Sequence, residues 1–126
     1  MPKVASYTVV RDTDITLPDG NDIDVDLTTF SLPNLATSTA DADRPVLSFK
    51  VNPHEDDARV VLYLNDPDQS EPPLFAQTYS AGPIRTVTEV IGRDKVEPSG
   101  NTMSVKLDGD GSFTISDVVI TYKANV

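Results

Sequence analysis

The chain has 126 residues, enough for one domain (1–126) with one core, and no cysteine, which excludes disulfides, thiolate catalysis and Cys-ligated zinc or iron–sulfur centres. Its net charge of −10 repels phosphate backbones and anionic lipid, so nucleic acid and membrane are set aside as partners. Asp outnumbers Glu 16 to 4, and ten prolines and six glycines add breakers; Asp favours turns over helix interiors, so short strands joined by Asp-rich turns are expected.

In chain order, "MPKVASYTVVRDTD" lacks the apolar run of a leader, and no stretch approaches the ~20 apolar residues of a membrane span. The expectation is synthesis in the cytoplasm, with the final location left open and release or export as part of an assembly one route. "VASYTVV" (4–10) and "TDITL" (13–17) alternate as strands, and "PDGN" (18–21) reads as a turn. "DIDVDLTTF" (22–30) puts Asp22, Asp24 and Asp26 on one face and Ile23, Val25 and Leu27 on the other. Same-face neighbours on a strand sit about 6.8 Å apart, where repulsion in water is roughly 0.6 kcal/mol. That spacing suits a solvated face or a basic partner surface and is too wide for all three carboxylates to grip one ion.

Residues 31–45 read as a surface connection between sheets. "VLSFKV" (46–51) and "ARVVLYL" (58–64) flank "NPHEDD"; "LFAQTYS" (74–80) and "IRTVTEVI" (84–91) flank "AGP". "TMSVKL" (102–107) and "SFTISDVVITYKANV" (112–126) flank "DGDG", the strongest hairpin signal in the chain. In the last strand Phe113 and Ile115 share a face, and either a β-bulge at Ser116–Asp117 brings Val118, Ile120 and Tyr122 onto it, or Val118–Val119–Ile120 is a central strand buried on both sides. Phe49, Tyr63 and Phe113 are expected in the core; Phe75 and Tyr79, after "SEPPL", lie either on the core or in an exposed contact. The pattern is an all-β antiparallel sandwich, jelly-roll-like, of eight or nine strands with essentially no helix.

No catalytic constellation accompanies these strands. His54 is the only histidine, in the polar turn "NPHEDD", without H-E-x-x-H or G-x-S-x-G. Asp108 and Asp110 in "LDGDGSF" lack the Gly and Glu of an EF-hand loop. Carboxylate pairs suited to glycoside hydrolysis arise by chance among 20 acids. The chain is read as no enzyme and without an obligate cofactor.

The closing segment "GSFTISDVVITYKANV", with "VLSFKV" followed by "ARVVLYLN", resembles the closing and inner strands of galactose-binding-like jelly rolls, the fold of many carbohydrate-binding modules. The resemblance covers about 30 residues in scattered pieces and implies that fold. It also implies a structural calcium held by Asp117 with Asp12 or Asp14, and carbohydrate as a partner. The chain has no Trp, where such modules usually stack sugars on aromatic rings.

Two functions follow. The first is a non-catalytic structural or interaction module, a subunit of a protein assembly of phage, injection-machine, fibre or surface-lattice type. Its acidic first third (eight acids, two bases in 1–43) would meet a basic protein or the next subunit, with Arg85, Arg93 and Lys95 supplying the basic surface and Phe75 and Tyr79 an apolar contact. The alternative is a calcium-supported carbohydrate-binding module.

Overall fold

Alternating strands bury one side each, and two such sides close on each other. The computed structural model describes residues 2–18 and 23–126, in which nine strands form two antiparallel sheets. They are β1 (Lys3–Arg11), β2 (Ile15–Leu17), β3 (Ile23–Asp26), β4 (Val46–Pro53), β5 (Ala58–Leu64), β6 (Phe75–Tyr79), β7 (Arg85–Val90), β8 (Met103–Leu107) and β9 (Phe113–Asn125). The large sheet has the order β1-β9-β4-β7, with β2 also on β9; the small sheet has the order β3-β8-β5-β6. The jelly-roll-like sandwich expected from the sequence is present, and helix among the described residues is confined to 3-10 turns at Asp41–Asp43 and Arg93–Lys95. The turn expected at 18–21 lies almost wholly outside the described residues.

The inward positions of the alternation form the core between the sheets. Leu47, Phe49, Val51, Val60, Leu62, Val105, Leu107, Phe113 and Ile115 are at most 1% exposed. Phe75 meets Phe49 edge to face at 5.4 Å, a favoured aromatic geometry. The bulge in β9 is where the phase requires it. Asp117 adopts φ 52°, a left-handed conformation that Asp tolerates better than most residues, and the β4–β9 register slips between Ser48 and Lys50. The extra residue keeps Val118, Ile120 and Tyr122 buried on the same side as Phe113 and Ile115.

Three expectations are corrected. "DGDG" does not make a hairpin: β8 pairs with β3 and β5, and β9 with β1, β2 and β4, so residues 108–112 arch from one sheet to the other. This arch docks on the one between β4 and β5. The Ser112 carbonyl accepts the His54 amide at 2.9 Å, and Gly111, at φ 92°, comes so close to Asp56 and Ala58 that a Cβ would stand 3.0 Å from their backbones. The segment 31–45 is not merely a surface connection: it crosses between sheets but buries Leu32, Leu35 and Ala36 on the way. Tyr63 is not core, because Val60, Leu62 and Leu64 take the inward positions of β5 and leave it facing out, half-buried.

Two asparagines fasten the end of the small sheet. Asn101 is fully buried; its Nδ2 donates to the carbonyls of Phe30 and Glu97, and its Oδ1 accepts from the Glu97 amide and Asn65 Nδ2. Asn65, at φ 53°, donates to the Lys95 carbonyl and accepts from the Thr102 amide. Every buried polar atom of this cluster therefore has a partner, as burial demands.

Candidate functional site

The outer face of the small sheet follows from the registers. One row across it reads Asp24, Lys106, Val61, Ala76; the next reads Asp26, Ser104, Tyr63. Arg59 extends the face towards Asp108, its Nε 3.5 Å from that carboxylate. The long connection between β5 and β6 folds over one end of these rows. Asp66 shapes it by accepting the Glu71 amide at 2.8 Å and the Ser70 amide at 3.0 Å. Those bonds hold its carboxyl below the ordinary aspartate pKa, the Glu71 amide contributing most. Gln69, at φ 53°, then reaches across to β3 and donates to both oxygens of Asp24 at 2.9 and 2.8 Å.

On the same face lies a cavity of about 170 Å³, with Tyr63, Asp26, Asp66, Pro67, Thr102 and Ser104 among its walls. Tyr63 offers an apolar ring with a polar tip. Asp26, Asp66, Thr102 and Ser104 line the same concavity beside the apolar Leu27 and Met103. The arrangement suits a small hydroxylated ligand with one apolar face. The cavity is below the roughly 300 Å³ of ordinary small-molecule sites, so any larger ligand would extend along the outer rows of the sheet.

Of the acidic stripe, Asp24 and Asp26 are exposed on this face, while Asp22 lies outside the described residues. Asp24 stands opposite Lys106 in the register. The three cations read as a basic surface are not one cluster. Arg85 opens β7, whereas Arg93 and Lys95 follow its far end, about 17 Å or more away for a strand of that length. Arg85 lies over the Tyr79 ring at 5.3 Å. Arg93 is spent on the carbonyls of Ala36 and Val96. Phe75 and Tyr79 pack half-buried against the core, and burial pushes the Tyr79 phenol up despite Arg85.

Residues 12–14, with Asp12 and Asp14, lie between β1 and β2, in the gap of the register opposite Ser116–Asp117. The Asp117 carboxylate, however, pairs with Lys50 at 3.0 Å. Among the described residues no three acidic or histidine side chains converge as a metal site. His54 Nε2 lies 2.7 Å from Thr114 Oγ1, which is 2.7 Å from Thr16 Oγ1; this exposed chain of three binds strands together at the far end of the large sheet. No helix among the described residues is long and apolar enough to cross a membrane.

No protein-family profile matches the chain, and no curated protein matches it by sequence. Solved structures do. The C-terminal CBM6 of LamC, a marine laminarinase from Zobellia galactanivorans, is similar at TM-score 0.56 and 11% identity over 94% of this chain and 99% of that one. A family 29 carbohydrate-binding module complexed with cellulohexaose is similar at TM-score 0.53 and 10% identity, covering 93% and 91%. A chain of infectious bursal disease virus, Gx strain, is similar at TM-score 0.53 and 8% identity over 98% of this chain but 32% of the viral one. At such identities the likeness establishes the fold, that of carbohydrate-binding modules, and nothing finer.

Proposed function

We propose that the protein is a non-catalytic carbohydrate-binding module whose sugar site is the outer face of the small sheet around Tyr63. The observation that supports it most is the concavity that Tyr63 shares with Asp26, Asp66, Thr102 and Ser104 over an apolar floor of Leu27 and Met103. A pyranose has an apolar C–H face and a rim of hydroxyls; the ring of Tyr63 meets the first and the carboxylates and hydroxyls the second. Two of the similar solved structures are carbohydrate-binding modules, one with cellulohexaose. The acids of this face, Asp24, Asp26 and Asp66, disfavour uronic or sulfated polymers, so the ligand is a neutral glycan.

The test is calorimetry against neutral gluco-oligosaccharides, with wild type and Tyr63→Ala. Binding that weakens about tenfold or more in the variant, a loss of about 1.4 kcal/mol, supports the site. Wild-type binding that Tyr63→Ala leaves unchanged, or no binding to any neutral glycan, refutes it. Running the series with calcium and with chelator also tests Asp117, Asp12 and Asp14, the residues that would hold that ion: a melting temperature that falls in chelator assigns them the metal, and an unchanged one removes it.

A further inference from the structure

The large sheet turns a second broad face to solvent, and its composition departs from that of the chain. The register places Ala5, Tyr7, Val9, Val46, Val119 and Val90 side by side on the four strands β1, β9, β4 and β7. Tyr7 is 67% exposed, Val9 46% and Val90 47%. Thr121, Thr88 and Ser48 fill the positions between them. Among the described residues, one acid of the 20 stands within these strands' outward rows: Asp117 at the bulge, paired with Lys50. At the rim, Asp43 is paired with Lys3 at 2.6 Å and feels Lys123 as well, and its carboxyl is held below the ordinary value by the Lys3 bond first. The face thus carries little charge, with Lys3, Lys50 and Lys123 against Asp43 and Asp117, on a chain of charge −10.

We propose that this face is the contact through which two copies of the chain associate, sheet against sheet. Two bodies of charge −10 repel through most of their surfaces; here each copy presents β-branched, aromatic and hydroxyl side chains and few charges, Lys3 and Lys50 being paired with Asp43 and Asp117. Aromatic anchors with sparse charge mark the centres of protein interfaces. Four strands about 4.8 Å apart and about eight residues long cover roughly 500 Å². Two copies together would bury about 1,000 Å², the lower bound of specific interfaces. The dimer is therefore weak, and its salt dependence has a defined sign. Salt screens the mutual repulsion of the remaining acids, the Debye length falling from about 10 Å at 0.1 M to about 3 Å at 1 M, so association strengthens with salt. An acidic stripe docking on a basic surface would show the opposite.

The experiment is sedimentation equilibrium of the wild type and of the double variant Tyr7→Asp, Val90→Asp, at chain concentrations up to about 1 mM in about 0.1 M and about 1 M salt. The expected result is an average mass that climbs above 13.6 kDa with both concentration and salt, and a dimer constant at least about tenfold weaker in the variant. Both substituted side chains are exposed, so melting should be little changed; the wild-type salt series decides the matter even if the variant folds poorly. A wild type at 13.6 kDa throughout, a mass that falls with salt, or a variant that dimerises as the wild type does each overturns the proposal. So does a monomer whose Tyr7 face is instead required for pull-down by an insoluble glycan.

Discussion

Asn101 shows how one residue can fix a loop and how little of that shows in a sequence. In "EPSGNT" it is an ordinary turn residue; in the fold it has no exposed surface and makes four side-chain hydrogen bonds. Asn101→Ala strands buried partners whose desolvation costs about 1–3 kcal/mol each. The expected loss is about 3 kcal/mol, seen as a melting temperature lower by about 10 °C; a fall under about 2 °C would mean that water replaces the amide. Tyr63 was more legible. Once Val60, Leu62 and Leu64 point inward, period-two alternation sends Tyr63 outward, and treating every strand aromatic as core overlooks that. What alternation could not foretell is the cavity, because Asp66 and Pro67 arrive from a loop that Gln69 ties across to Asp24. Tyr63→Ala is expected to lower the melting temperature by about 5 °C with unfolding still cooperative, since the side chain is only partly exposed on the sheet surface; loss of cooperative unfolding would make the residue structural.

At the scale of elements, strand positions and the β9 bulge were legible because both rest on local periodicity. Deleting Asp117 removes the extra residue and turns Val118, Ile120 and Tyr122 to the wrong face. The deletion is expected to abolish cooperative unfolding by circular dichroism, whereas Asp117→Gly stays within about 1 kcal/mol of wild type, trading relief at φ 52° against an exposed ion pair. A deletion that melts like wild type would contradict the phase argument. Which strands pair was not legible. The glycines of "DGDG" permit a hairpin and an arch alike, and the partner is chosen by non-local contacts such as the stacking of Gly111 on Asp56 and Ala58. The β5–β6 loop has its own test. Because the Asp66 pKa is lowered, its bonds to Ser70 and Glu71 are in place above the ordinary aspartate value of 3.8 and are lost as pH falls below it. The amide resonances of Ser70 and Glu71 should therefore titrate with a midpoint under 3.8; a midpoint at or above that value would remove the carboxylate anchor.

The whole molecule is divided by charge. The small sheet and its loops present Asp24, Asp26, Asp66 and Asp108 beside Arg59 and Lys106, while the outward face of the large sheet is sparsely charged and β-branched. The sequence shows the net charge but not this partition, since Asp66 joins Asp24 and Asp26 only when the β5–β6 loop crosses to the small sheet. Two faces of opposite character fit two roles, glycan binding on one and self-contact on the other. The central claim is the first, and the most direct measurement is an amide-resolved NMR titration of the wild type with a neutral gluco-oligosaccharide. The account predicts shifts concentrated on Tyr63, Asp26 and residues 102–106, with the large-sheet strands β1 and β7 unmoved. Shifts confined to the large sheet, or none at saturating sugar, would contradict it.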